Sequence, residues 1–247
     1  KRDKYKVYGE LINTYGYNLE PGSKELTALN YYTNEEITIP LDPTQTPGEN
    51  AQRYFAKYNK QKRTFEALTE LIQETADDIQ YLESISNALD IALNEADLAQ
   101  IKEELMQSGY IRRKHTKKKV KLTSKPMHYI SSDGYDMYVG KNNLQNEELT
   151  FSFANGNDWW FHAKGAPGSH VIVKSGGDEL PDRTFEEAGR LAAYYSKNRG
   201  ADKVEIDYIQ KKHVKKPNGA KPGFVVYYTN YSLVIDSDIS NIKNVQD

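Results

Sequence analysis

The run Asp158-Trp-Trp-Phe-His-Ala-Lys-Gly-Ala-Pro-Gly-Ser-His-Val-Ile-Val173 holds both tryptophans of the chain and two of its five histidines. A strand from Asp158 to Lys164 alternates its side chains, with Trp159, Phe161 and Ala163 on one face and Trp160, His162 and Lys164 on the other. The Pro167-Gly168 turn then leads into Ser169–Lys174, which places His170, Ile172 and Lys174 together. Two strands joined by a tight turn make an antiparallel hairpin. Two readings of it stay open. Its aromatics fill a core while its histidines satisfy backbone groups, or Trp160, His162 and Lys164 form a face that stacks on and hydrogen-bonds to a nucleotide.

Short β-rich runs surround this hairpin, at His128–Ile130, Asp136–Val139, Thr150–Phe153, Val204–Ile209, Phe224–Thr229 and Leu233–Asp236. Thr184-Phe-Glu-Glu187 has the spacing of a capping box. The helix it starts carries an apolar stripe of Phe185, Ala188, Leu191, Ala192 and Tyr195 and ends by Gly200. Residues 127–247 are therefore expected to form an α+β domain with a mainly antiparallel sheet and packed helices.

The first half has a different period. Residues 4–16 read as a short helix, and Glu25–Tyr32 and Glu36–Leu41 as a hairpin turning at Thr33-Asn34. Thr46-Pro47-Gly48-Glu49 is a helix-start signature, with Pro47 at the first helical position. Phe65, Leu68, Ile72, Thr75, Ile79, Leu82, Ser86 and Leu89 follow at spacings of three and four, an imperfect coiled-coil seam. Its expected antiparallel partners are Glu95–Gln107 and the N-terminal helix, giving a helical coiled-coil arm over residues 1–110; a globular helical bundle is the competing expectation. Residues 111–126, too polar and basic to bury, read as a linker and domain boundary.

The 247-residue chain has a net charge of −2, which hides a sharp asymmetry. Acids dominate from Glu74 to Glu104, whereas Arg112–Lys121 and Lys211–Lys216 are strongly basic. Local blocks, not the average, decide which partners such a chain attracts. The absence of cysteine excludes disulfides, thiol nucleophiles and thiolate zinc sites. No apolar run approaches the roughly 18–20 residues of a membrane span, so membrane insertion is not expected. A chain that opens on Lys1 in what reads as mid-helix is taken as a segment of a longer protein.

Asp158, His162 and His170 could hold a metal or act as an acid–base relay. No HExxH pattern, carboxylate dyad or nucleophile elbow accompanies them, so no catalytic residue, metal site or cofactor is assigned, and the chain is read as a binding protein and not an enzyme. Asn142, Asn143, Gln145 and Asn146 can read base edges or form turns. Lys211, Lys212, Lys215, Lys216 and Lys221 lie in a Gly/Pro-punctuated loop suited to phosphate. With Asp158, Trp160, His162, Lys164, Ser169 and His170, these amides and lysines form the candidate RNA-binding set.

The motifs Gly140-Lys-Asn-Asn-Leu-Gln-Asn146, Asp158–Val171, Glu187-Ala-Gly-Arg-Leu-Ala-Ala-Tyr-Tyr-Ser196 and Val214-Lys-Lys-Pro-Asn-Gly-Ala-Lys-Pro-Gly223 closely resemble the NFACT-R domain. Leu41-Asp-Pro, Glu49–Phe55 and Glu104–Tyr110 resemble the entrance to and exit from the same family's coiled-coil region. The family includes RqcH and NEMF-type proteins and bacterial proteins known for fibronectin or fibrinogen binding. The resemblance implies a cytoplasmic, ribosome-associated quality-control factor that binds tRNA and the obstructed large subunit and supports template-independent alanine tailing, with its coiled coil reaching a stalk-base protein. Its alternative is a surface adhesin for fibronectin or fibrinogen, with a secondary cell-surface presence. The family's NFACT-N and helix–hairpin–helix regions are not recognised in this chain, so residues credited there with tRNA selection cannot be placed on it. Within NFACT-R, Gly165 replaces a common acidic residue.

Overall fold

The computed structural model describes residues 2–112 and 122–245. Most of the predicted basic linker therefore lies outside the described residues. The chain forms two compact units, residues 1–77 and 78–247, and helix α2 (Pro47–Ile91) passes through the boundary between them.

In the first unit, α1 (Asp3–Tyr15) and the hairpin of β1 (Glu25–Asn30) and β2 (Glu35–Pro40) enclose Leu11, Ile12, Leu26, Ala28 and Ile39 with Ala51 and Tyr54 of α2. Asn34 takes a positive φ of 57° at the hairpin turn, a conformation asparagine tolerates better than most residues. The start of α2 is a true capping box. The Glu49 amide donates to Thr46 Oγ1 at 3.2 Å, and Glu49 Oε2 accepts from the Thr46 amide at 2.7 Å.

In the second unit, α3 (Glu95–Gln107) begins at Asn94, whose side chain accepts the Asp97 amide. It runs back along the end of α2, burying Ile101 against Tyr81, Ile85 and Ala88. The expected seam is corrected here. Phe65, Leu68, Ile72, Ile79, Leu82 and Leu89 are exposed, and α3 packs instead on the stripe of Tyr81, Ile85 and Ala88.

The sheet has strand order β8-β7-β5-β6-β4-β3-β9, all pairs antiparallel. Its strands are β3 (Met127–Ile130), β4 (Asp136–Val139), β5 (Trp159–Ala163), β6 (Val171–Val173), β7 (Val204–Gln210), β8 (Tyr231–Ile235) and β9 (Lys243–Asn244). The α+β class with a mainly antiparallel sheet is as expected. Strand alternation puts Met137, Phe161, Val171 and Ile206 under α5 (Asp182–Tyr194), which contributes Ala188, Leu191 and Ala192 to the main core. The opposite face, Trp160, Ile172 and Ile209, is covered by Leu149, Ala154, Val214, Val225 and Tyr227.

Three local expectations are corrected. Thr150–Phe153 is not a strand: α4 (Asn143–Glu148) widens into a π turn over Leu149–Phe153, closed by the Ala154 amide donating to the Leu149 carbonyl at 2.9 Å. Phe224–Thr229 makes only an isolated bridge, Lys215 to Val226. The Thr184/Glu187 pair is no capping box, since α5 starts two residues earlier. Thr184 Oγ1 donates to Ser131 and Asp133, and Glu187 accepts from Ser132.

Candidate nucleic-acid interface

The β5–β6 hairpin has the predicted alternation, but both of its faces are covered. Trp160 is fully buried, stacked on His162 (5.6 Å, 14°), met edge-on by His170 (5.1 Å) and packed against Tyr227 (4.8 Å). Its indole nitrogen has no hydrogen-bond partner among the described residues. His170 is buried; its Nδ1 lies 2.8 Å from Thr150 Oγ1, and its amide donates to Asn146 Oδ1 at 3.0 Å. Burial holds both imidazoles neutral, bringing the His162 pKa down to about 4, while His170, also disfavoured by His162, lies well below its ordinary value. Trp160 and His170 have no face for a ligand, and half-buried His162 has one face taken by Trp160. The nucleotide-stacking expectation is corrected to core support for Trp160.

Asp158 is also internal. Its carboxylate accepts from Lys174 Nζ at 2.5 Å, the Asn155 amide at 2.7 Å and the Ser175 amide at 3.1 Å. It fixes the loop before β5 and has no spare oxygen aimed at solvent. Ser169 is buried, and Lys164 is exposed but paired with Glu205 at 2.6 Å. Among the described residues, no group of three His, Asp or Glu side chains could hold a metal.

The amide cluster is a structural joint. Asn142 caps α4 by accepting the Gln145 amide at 3.0 Å and donates to Gln100 at 2.8 Å. Gln145 donates to Gln100 (2.6 Å) and Ser124 (2.8 Å), and Asn143 donates to Glu104 (2.8 Å) and Ser84 (2.7 Å). All four amides are buried, so the expectation that they read base edges is corrected. Their partners Gln100 and Glu104 lie on α3, as does Asp97, which accepts from the buried Lys141 ammonium at 2.6 Å. Sequence reasoning read Asp97 and Glu104 only as members of an acidic block. The spacing of three and four from Asp97 through Gln100 to Glu104 along one helix stripe was the available signal.

The lysines of the 211–221 loop divide into two groups. Lys216 pairs with Glu147 at 2.7 Å, and Glu147 also accepts the Gly223 amide. Lys221 sits over the rings of Tyr81 (4.7 Å) and Tyr110 (5.2 Å) and pairs with Asp78. These two cations tie the loop down. Lys212 and Lys215 are exposed and make no ion pair among the described residues; Lys211 lies 5.9 Å over the ring of Phe151. Backbone bonds fix all three positions, from Lys211 to the Asp158 carbonyl, Lys212 to Gly156 and Lys215 to Val226.

Residues 1–124 match the family model of the NFACT N-terminal and middle domains, which corrects the expectation that the chain has no part of that region, and residues 125–228 match that of the NFACT protein RNA binding domain. The chain belongs to the NFACT family. The Rqc2 homolog RqcH of Streptococcus pneumoniae serotype 2 is 42% identical over 245 residues, covering 99% of this chain and 44% of that protein. The Rqc2 homolog RqcH of Bacillus subtilis strain 168 is 40% identical over 246 residues, covering 97% and 42%. The chain thus spans less than half the length of these relatives. A solved structure, the C-terminal part of the fibronectin/fibrinogen-binding protein from Streptococcus suis, is similar with a TM-score of 0.73 at 36% identity, covering 98% of this chain and 87% of that one. Within the family motif, Gly165 takes a φ of 64°, a left-handed turn conformation that costs glycine nothing and an acidic side chain more.

Proposed function

We propose that this chain is an RNA- and ribosome-binding part of a quality-control factor, acting in the cytoplasm on large subunits obstructed by peptidyl-tRNA. In the longer protein it supports template-independent alanine tailing of stalled chains by helping to hold tRNA, while the helical region reaches a stalk-base protein. The part played here is binding, with no cofactor and no bond-making step. The RNA-binding-domain match and the RqcH relatives support this reading. The observation that carries it is the division of the loop lysines: Lys216 and Lys221 are spent on anchoring, which leaves Lys211, Lys212 and Lys215 displayed on a fixed backbone. Each phosphate neutralised by such a cation releases counterions and makes binding salt-dependent.

The test is titration of the chain with tRNA and with large ribosomal subunits over a salt series. Affinity should fall steeply with salt, and Lys212→Ala with Lys215→Ala should flatten the dependence. Binding that is absent at low salt, or indifferent to both substitutions, sinks the reading. The name of the Streptococcus suis protein favours a second reading, adhesion to fibronectin or fibrinogen. Immobilised fibronectin retaining the chain at physiological salt while tRNA does not would support that alternative.

A further inference from the structure

The π turn Leu149–Phe153 was not among the candidate sites, yet it carries the exposed combination that the Trp160 hairpin lacks. A π turn is rare and concentrates at functional sites, though by itself it assigns nothing. Here it swings Phe153 outward, leaving that ring 41% exposed. Lysines flank the turn on both sides. Lys174 Nζ lies 4.8 Å over the Phe153 ring and donates to the Phe153 carbonyl at 3.2 Å, while Lys211 approaches Phe151. Lys212 is joined to the neighbouring loop by its amide donating to Gly156, and Asn155 and Asn157 of that loop are exposed. On the open side the aromatic surface continues. Tyr138 meets Phe153 edge-on at 4.7 Å and stacks on His128 at 4.5 Å and 5°.

Two acids beside the turn are already engaged: Asp158 is buried against Lys174, and Asp136 lies 2.7 Å from His128. Thus the cationic and aromatic character of this surface is not cancelled at Lys211, Lys212 or Phe153. An exposed ring bracketed by cations, on a rigid turn, suits one chemistry well. A base stacks on the ring while the flanking phosphates meet the ammonium groups. A base already stacked inside a duplex cannot use such a ring without being unstacked.

We propose that the Phe153 turn, with Lys211 and Lys212, is a stacking platform for an unpaired base of single-stranded RNA. This rests on the RNA-binding reading above and adds to it a substrate class, unpaired strand over duplex. Phe153 supplies the π face, Lys211 and Lys212 the phosphate contacts, and Lys174 holds the turn through its carbonyl contact and its bond to Asp158.

The experiment uses the whole chain with an unpaired RNA oligonucleotide carrying 2-aminopurine, and with a duplex of equal length. Phe153→Leu keeps apolar packing against Tyr138 but removes the π face. It should weaken single-strand binding about tenfold, from the typical worth of a base–aromatic stack. It should also abolish 2-aminopurine quenching and leave both the salt slope and duplex affinity unchanged. Phe153→Trp should restore binding and quenching. Lys212→Ala should do the opposite, lowering the salt slope while sparing the quenching at saturation. Single-strand affinity within twofold of wild type in Phe153→Leu, or an equal loss on duplex, overturns the platform. The two readings separate cleanly: if Lys212→Ala weakens RNA binding and Phe153→Leu does not, only the platform falls; a wild-type chain that binds neither RNA ends both.

Discussion

The Lys221 ammonium lies 4.7 Å above the ring of Tyr81, a residue 140 positions earlier in the chain, and so clamps the basic loop onto the end of α2. Tyr110 stacks on Tyr81 at 5.6 Å and both accepts from Lys221 (3.0 Å) and donates to Asp78 (2.9 Å). Burial opposes the Lys221 charge, but the hydrogen bonds to Asp78 and Tyr110 outweigh it and raise its pKa; the bonds Asp78 accepts from Lys221 and Tyr110 lower its own. Lys221→Ala should lower stability by about 1 kcal/mol, the scale of a cation–π contact at a partly exposed site. Because its charge is already matched by Asp78, the salt slope of RNA binding should stay at the wild-type value. A slope that falls as it does in Lys212→Ala would place Lys221 on phosphate instead.

Acid should loosen the second unit through its buried imidazoles. His162 is held to about 4 by burial, against an ordinary value near 6.5, so between those values the unfolded chain binds a proton that the folded chain refuses. The stability this contributes is complete above about pH 6.5 and is lost as pH falls toward 4. His170, lowered by burial and by His162, adds in the same direction. Urea midpoints measured from pH 7.5 to 5 should decline, and His162→Gln should have a lower starting midpoint but a shallower decline. A midpoint independent of pH across that range would contradict the buried neutral pair.

Two carboxylates in one joint should respond differently to amide replacement. Burial raises the Glu104 pKa despite bonds from Asn143 and Tyr81, so its environment opposes the charge more than that of Asp97 does. For Asp97, burial is outweighed by bonds from Lys141, Ser124 and the Leu93 amide, and the carboxylate is kept charged. Glu104→Gln is expected to cost about 1 kcal/mol, the scale of one rearranged hydrogen bond. Asp97→Asn should cost about 3–5 kcal/mol, since it leaves the buried Lys141 ammonium unmatched. Chemical denaturation of the two variants side by side checks the order.

Gly140 lies against Asn146 so closely that a Cβ would be 2.1 Å from Asn146 Oδ1 and 2.9 Å from its amide nitrogen. That oxygen accepts the His170 amide, so Gly140→Ala has to displace the link between α4 and the start of β6. A loss of about 2–3 kcal/mol is expected, as for an overpacked site combined with a broken buried hydrogen bond. Thermal unfolding of the variant within the error of wild type would show that Asn146 can move aside cheaply.

Much of the architecture was legible because it depends on neighbours in sequence. Alternation within Asp158–Lys164 placed Trp159 and Phe161 opposite Trp160 and His162, and the pairing registers agree with it. The helix entry read at Thr46–Glu49 likewise joins residues three apart, whereas the equally local Asn142 cap was not read. Where a local pattern admitted two partners, sequence reasoning chose wrongly. Thr184 and Glu187 have capping-box spacing, but their side chains bond to residues 131–133. The apolar seam along α2 was read as the paired face, whereas α3 settles on the stripe of Tyr81, Ile85 and Ala88, where Tyr81 also gains a bond to Glu104.

The candidate site divides along the same line. The amino-acid order alone determined that this is an NFACT chain, that its lysines gather in one loop, and that its β5 aromatics alternate between two faces. It did not determine which aromatic meets water, because burial is set by what folds over a residue from elsewhere. Leu149, Val214 and Tyr227, all distant in sequence, close over Trp160. The π turn that presents Phe153, and the acids that silence Lys216 and Lys221 while leaving Lys212 and Lys215 free of ion pairs among the described residues, were decided only by the tertiary structure, since a charge or a ring acquires its role from the group placed opposite it.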